Sequence, residues 1–357
     1  MSVNSVEGTT GERTGESAAF GTAGAWEGPL LLGIFDGHGG TRVSDYLAAH
    51  LCQRCSEALL KAGSDEEAQN AALTAAFYEA DATVVAEDRA WAESTGAPRT
   101  GRHPGPGATA VVAGLLPTTQ TLLLAVVGDA RAAVASVDGN VLLVTEDQTP
   151  SVAEEAARVV ALGGTVTRGA ALFDTRLRVG GVLAISRAFG NAGMKPYVTA
   201  EPVISRVQLP QDGCTLLMGS DGIFDVLTTQ EAVLTACRPR ERHPAGAVVH
   251  KARNLPGAVD NITCVTLSIG PAPNSQQPSA TIISDIELFA TPPTQSQMPI
   301  TQDDRLSSSA LLVVPPVEAK PVSPGVVLGS KRRLDDMNVA VSQVPSLMAP
   351  LVEPAST

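Results

Sequence analysis

Three aspartates carry the strongest chemical signal in the chain. Asp36 follows the apolar run LLLGIF, Asp221 follows TLLMGS, and Asp260 stands directly before NITCVTLSI. Gly37 and Gly222 follow two of them, and a glycine leaves the backbone room to bring a carboxylate and its own carbonyl toward a common point. Two carboxylates held 4 Å apart repel by roughly 4 kcal/mol at an effective dielectric of 20. A bound cation removes that cost. Donors that are all oxygen select hard ions such as Mg or Mn, and no His or Cys is offered at zinc spacing.

The elements that must position these groups read as a mixture of strands and helices. Leu30 to Phe35 is a short apolar run expected to form a buried strand ending at Asp36. Val43, Leu47, Leu51, Cys55 and Leu59 then recur at helical spacing, and Leu73, Phe77, Ala80 and Val84 mark a second helix from about Asp65 to Ala92. Strands are expected over Leu122 to Val127, Ala132 to Ala135 and Val141 to Val144, with Asp138-Gly139 turning the chain before the last. Thr215 to Met218 is a strand leading into Asp221, and Thr228 with Glu231 has the spacing of a capping box that opens a helix. This order is not a regular strand-helix alternation. It favours an α+β domain with antiparallel sheets.

The 357 residues, 44% of them hydrophobic, suffice for one large folded domain or two modest ones. A net charge of −12 argues against a nucleic-acid partner, because binding a phosphate backbone relies on Lys and Arg. No stretch reaches the length of apolar sequence that spans a membrane, and the first residues lack the basic start and apolar centre of a secretory signal. Five cysteines in a chain of this size fit a reducing compartment. The expected setting is the cytoplasm or the nucleus, without membrane attachment. After Ile269 the composition shifts to Pro, Ser, Thr and Gln. Residues 1–270 are therefore expected to fold and 271–357 to form a mostly disordered tail, available to unknown partners, in which patches such as LLVVPPV break on prolines.

The words around the aspartates sharpen the reading. Gly33-Ile34-Phe35-Asp36-Gly37-His38-Gly39-Gly40 resembles the FDGHGG signature of the metal-dependent, type 2C protein serine/threonine phosphatases. In the same order follow Gly107-Ala108-Thr109-Ala110, Val127-Gly128-Asp129-Ala130-Arg131, the run RVGGVLAISRAFG from Arg178 to Gly190, SDGIFD from Ser220 to Asp225, and Asp260-Asn261. The resemblance covers most of residues 33–269 and none of the tail. It implies two packed antiparallel β-sheets flanked by helices, a four-layer α-β-β-α sandwich, and the hydrolysis of phosphoserine and phosphothreonine in protein substrates.

It also implies roles. Asp36, the carbonyl of Gly37, Asp221 and Asp260 would hold two Mg or Mn ions that activate a water, so that no phospho-enzyme is needed. Asp147, with Asp221 and Asp225, would form a weaker third-metal site. His38 would protonate the departing oxygen, the alternative being an imidazole that only hydrogen-bonds the loop. The family opens with an arginine that grips phosphate and an acidic pair; the nearest match is Arg13-Thr14-Gly15-Glu16-Ser17, where Arg13 would bind phosphate, Glu16 would support a metal, and Ser17 replaces an acid. Asn191 stands where an aspartate usually follows RAFG, and Gln148-Thr149 replaces His-Lys. Neither of the last two changes touches the two-metal ligands, but the degraded Arg13 to Ser17 segment keeps open a second reading, a catalytically weak or silent phosphatase fold that binds or regulates.

Other motifs carry less. Cys52 and Cys55 form a C-x-x-C inside a helix, which reads as a packed face. His50, His103 and His243 have no neighbour that suggests a triad. Asp129 and Arg131 belong to a segment that is structural in the family, and Lys331-Arg332-Arg333 is a thin basic cluster. A kinase lacks support, since neither its Gly-rich loop with a strand lysine nor its catalytic loop is found.

Overall fold

The computed structural model describes residues 28–100, 103–169, 175–239 and 241–270, and the backbone of three further strands at 2–4, 283–291 and 308–314. The chain begins with β1 (Ser2–Asn4), β2 (Leu30–His38) and the long helices α1 (Arg42–Ala62) and α2 (Glu66–Thr95). Strands β3 (Gly107–Leu116), β4 (Thr121–Val127), β5 (Arg131–Ser136) and β6 (Val141–Val144) follow, then α3 (Ala153–Ala161) and the short strands β7 (Val166–Arg168), β8 (Leu177–Val179) and β9 (Phe189–Gly190). The last part carries β10 (Val203–Gln208), β11 (Cys214–Gly219), α4 (Asp221–Phe224), α5 (Thr229–Ala236), α6 (Pro244–Arg253), β12 (Ile262–Ile269), β13 (Ile283–Thr291) and β14 (Ser308–Val314).

Two sheets organise these elements. One has the order β1-β14-β2-β3-β4-β10 with β9 added beside β3, the other the order β13-β12-β11-β5-β6, and a separate β7-β8 ribbon lies outside both. The pairings within them are antiparallel. Side chains alternate faces along a strand, so each sheet has two apolar surfaces to cover. Leu30, Leu32 and Ile34 of β2, Val111 of β3 and Leu124 of β4 pack with Val134, Leu216, Met218 and Val265 of the other sheet. The opposite parity, Leu31, Phe35, Val112 and Leu123, packs under α1 and α2 through Leu47, Leu51, Leu73 and Phe77. Leu217, Ile262 and Cys264 pack beneath α5 and α6 through Ala232, Val248 and Val249. The result is the expected four-layer α-β-β-α arrangement. Fully burying one such aliphatic or aromatic side chain is worth about 1.5–3 kcal/mol, so these layers dominate the stability of the fold.

Local signals hold where side chains alone decide them. Asp65 caps α2 by accepting from Ala68 N at 2.7 Å, and Thr228 and Glu231 make the reciprocal capping box at the start of α5. Cys52 and Cys55 are buried on α1 as a packed face, and burial pushes the Cys55 thiol up to about 12, which makes it inert.

Two expectations change. Strand β2 does not stop at Asp36; it pairs with β3 as far as His38↔Gly107, which fixes Asp36 opposite Thr109. Beyond residue 270, β13 pairs with β12 and β14 lies between β1 and β2, where a disordered tail was expected. The physical reason is visible in the sequence: SSALLVV contains no proline, and Pro315-Pro316 follow the strand rather than interrupt it. The rest of 271–357 lies outside the described residues.

Candidate metal and phosphate site

The site forms at one end of the sandwich, where strands from both sheets finish. Asp36 shares the face of Leu32 and Ile34, so the period of two aims it between the sheets, where it is buried. Ser220 ends β11 and ties it to the start of β12: its N donates to Thr263 O, its hydroxyl donates to Asn261 O at 3.2 Å, and Thr263 N donates back to that hydroxyl at 3.1 Å. This staple holds Asp221 beside Asp260 and Asn261. A Cβ on Gly222 would collide with the Asn261 carbonyl, so the glycine permits the close approach. Asp260 accepts from its neighbour's backbone, Asn261 N, at 2.6 Å.

Electrostatics shows what this gathering costs. Burial, followed by repulsion from Asp36, Asp129, Asp260 and Asp225, pushes the Asp221 carboxyl well above its usual range. Burial and then Asp147 raise Asp129 to about 7. Asp225 is raised by burial and by Asp260 and Asp147, against the opposing pull of Arg176. Asp221 Oδ1 and Thr109 Oγ1 are buried without a hydrogen-bond partner. An orphaned buried carboxylate oxygen amid like charges is a poor stabilising feature and a good cation donor. Among the described residues, no three His, Cys, Asp or Glu side chains are drawn into one ion-holding group. The oxygen-only donors fit Mg or Mn.

Asp129, Asp147, Asp221 and Asp225 line a cavity of about 190 Å³ together with Arg131, Arg176 and Phe224. Asp147, the expected contributor to a third cation site, has both oxygens paired with an arginine here. Arg131 grips both, at 2.8 and 2.6 Å, while donating to Thr229 Oγ1 at 2.7 Å and lying 4.5 Å over the Phe224 ring. Asp129, set aside from sequence, is one of the carboxylates that crowd Asp221, second after Asp36. The signal that could have found it is its place in the β4–β5 connection, which crosses from one sheet to the other at the end where Asp36 and Asp221 lie.

His38 is half-buried, and burial lowers its pKa against the effect of a hydrogen bond to Asn191. Asn191 Nδ2 donates to Gly105 O at 2.9 Å, which turns Oδ1 toward His38 Nε2, also at 2.9 Å. The nitrogen therefore carries the proton and spends it on Asn191, the loop-bonding alternative of the sequence reading. Asn191, which stands where the family has an aspartate, holds the imidazole. Gln148 also has a structural task, accepting from Gly128 N at 2.6 Å beside Asp129. Arg13 and Glu16 lie outside the described residues, as does Ser17.

The RAFG segment is fixed by one buried carboxylate. Burial alone would raise Glu155, but hydrogen bonds from Arg187, Ser186 and Arg158 outweigh it and hold it at about 2. The contacts are short, with Arg187 at 2.6 Å and Ser186 Oγ at 2.7 Å.

Residues 15–256 match the family model described as protein phosphatase 2C. The chain is 31% identical over 237 residues to probable protein phosphatase 2C 76 of Arabidopsis thaliana, covering 66% of this chain and 51% of that one. It is 32% identical over 237 residues to probable protein phosphatase 2C 52 of Oryza sativa subsp. japonica, covering 66% and 44%. It thus spans about half the length of these relatives. A serine-threonine phosphatase 2C from Toxoplasma gondii has a similar fold, with a TM-score of 0.51 at 18% identity over 82% of this chain and 99% of that one. A Caenorhabditis elegans sex determining protein aligns with a TM-score of 0.55 at 22% identity, over 73% of this chain and 65% of that one. With its sandwich, its ordered motifs and the family match across most of its length, this chain belongs to the protein phosphatase 2C family.

Proposed function

We propose that the chain hydrolyses phosphoserine and phosphothreonine in proteins with the help of Mg or Mn. The observation that carries this reading is the carboxylate cluster around Asp221, whose buried Oδ1 has no partner among the described residues and whose charge is opposed on every side by other aspartates. Asp36, Asp221, Asp260 and the Gly37 carbonyl would hold two core ions. Asp129, rather than the arginine-bound Asp147, would join Asp221 and Asp225 around a weaker third.

When bound, such ions supply Lewis acidity toward a phosphoryl oxygen and make water acidic enough to attack at neutral pH. The chain's own residues supply position. Ser220 and Gly222 set the distance between Asp221 and the Asp260 loop, Asn191 orients the His38 ring, and Asp147 holds Arg131 at the cavity wall. Arg176, on the same wall, puts a cation where an anionic substrate enters. For His38 to protonate a departing oxygen, its Nε2 proton must leave Asn191 for that oxygen.

The test is hydrolysis of a phosphothreonine peptide and of a small aryl phosphate by the purified chain, with Mn, with Mg and with chelator. Turnover that needs the metal and disappears in Asp221→Asn is expected. Metal-independent turnover, or an Asp221→Asn variant as active as the parent, overturns the proposal.

A further inference from the structure

A second cavity lies away from the aspartates. A groove of about 620 Å³ lies along α6, lined by Arg238, Glu241, His243, His250, Lys251 and Asn254 among others. The lining sets Arg238 and Lys251 against Glu241, and the segment that supplies it, 238–254, holds five of the chain's 25 Lys and Arg but one of its 37 Asp and Glu, in a chain whose total charge is −12. Arg238, His243 and His250 are exposed. The one acid in the lining, Glu241, is turned to its own backbone, where it accepts from His243 N at 3.0 Å. At one end the groove reaches Asn254 and Leu255, five residues before Asp260. Five extended residues span at most about 18 Å, so one polypeptide of five or six residues bridges the groove and the aspartates.

We infer that this groove docks an acidic segment of the phosphoprotein substrate, lying about five or six residues from the phosphorylated side chain. This rests on the proposed phosphatase reading and extends it to substrate choice. Charge complementarity favours such a segment: Arg238 and Lys251 face the groove while its one lining acid is turned to its own backbone, and Leu255 at its end lies five residues from Asp260. Docking there raises the local concentration of the phosphorylated residue at the carboxylates without touching the chemistry.

The experiment uses the full chain, the Arg238→Glu/Lys251→Glu variant, and two phosphothreonine peptides that differ only in carrying four Asp and Glu or four Asn and Gln at that distance. The parent is expected to prefer the acidic peptide through KM, and the variant to lose about tenfold in kcat/KM on that peptide alone. Both proteins should hydrolyse the small aryl phosphate equally. Equal losses on both peptides, or none on either, overturn the inference. Fluorescence anisotropy with a labelled, unphosphorylated acidic peptide separates the two readings. Salt-sensitive binding to a parent that hydrolyses nothing, lost in the variant, sustains the groove and sinks the phosphatase reading. An RNA oligomer of equal charge that binds as well and displaces the peptide overturns the peptide assignment.

Discussion

Arg131 and Asp147 meet fork to fork, with Nε 2.8 Å from Oδ1 and a terminal nitrogen 2.6 Å from Oδ2. The pair neutralises one carboxylate at the wall of a cavity where Asp129, Asp221 and Asp225 already repel one another. A lysine cannot reproduce two parallel bonds, a third bond to Thr229 and a flat stack on Phe224. Arg131→Lys is expected to cost about 1–2 kcal/mol, a fall of roughly 3–6 °C in melting temperature for a domain of this size, the pair being part-exposed. Arg131→Lys/Asp147→Asn should recover part of that loss. Thermal melts of the two single variants and the double variant give the coupling.

The crowded aspartates make the metal-free protein sensitive to pH in a definite direction. Asp129 and Asp221 have folded pKa values above their unfolded ones, so ionisation favours the unfolded chain. Their penalty is absent below about pH 4 and grows as the pH rises toward 7 and beyond. In chelator at pH 7.5, Asp221→Asn and Asp129→Asn should each raise the melting temperature by about 3 °C or more, a gain that shrinks toward pH 4. Mn should raise the melting temperature of the parent but not of Asp221→Asn. A lower melting temperature for the Asn variants in chelator would contradict the arrangement.

Gly107 sits where a methyl group has no room. A Cβ there would stand 2.6 Å from His38 Nε2 and closer still to Asn191 Oδ1. Gly107→Ala should therefore part this pair while sparing the aspartates. If His38 transfers a proton, kcat on a phosphopeptide should fall about 10²-fold or more, with a smaller loss on an aryl phosphate whose leaving group needs no proton. His38→Ala should show the same pattern, the larger loss falling on the phosphopeptide, and Gly107→Ala should add little to it.

Glu155 is the electrostatic peg of the RAFG segment. Its folded pKa of about 2 lies below the unfolded value, so its contribution is complete above about pH 4.5 and is lost as the pH falls toward 2. Glu155→Gln leaves Arg187 and Arg158 without their counter-charge and should cost about 3 kcal/mol at neutral pH. Urea midpoints from pH 2.5 to 7 should show a flatter profile for the variant, converging with the parent at the acid end.

The individual strands, the helix starts and the antiparallel α+β class were legible in local pattern, while the four-layer stacking came from the family resemblance. Leu30 to Phe35 advertises a buried strand, and Thr228 with Glu231 advertises a helix start. What stayed hidden depends on pairing across long separations. Nothing near Asp147 in sequence says that Arg131 will take both its oxygens, and nothing near Asn191 says that it will face His38, 153 positions away. Asp129 looked structural because its segment does build the sheet crossing, and only the folded chain shows that the crossing ends at Asp221. The strand at Ser308–Val314 was missed for the opposite reason: the prolines after it were allowed to speak for residues that contain none.

The inter-sheet layer has a consequence of its own. Asp36 reaches the site from β2 and Asp221 from the end of β11, and between their sheets lie Leu32, Ile34, Leu124, Leu216 and Val265. The gap between the two carboxylates is thus set by the thickness of a slab of aliphatic side chains, which acts as a spacer gauge for the ions they would share. Packed interiors transmit small changes in volume rather than absorb them. A substitution such as Leu216→Ala, which removes no polar atom from the site, then narrows the gauge, and cation affinity reports on the carpentry of the core.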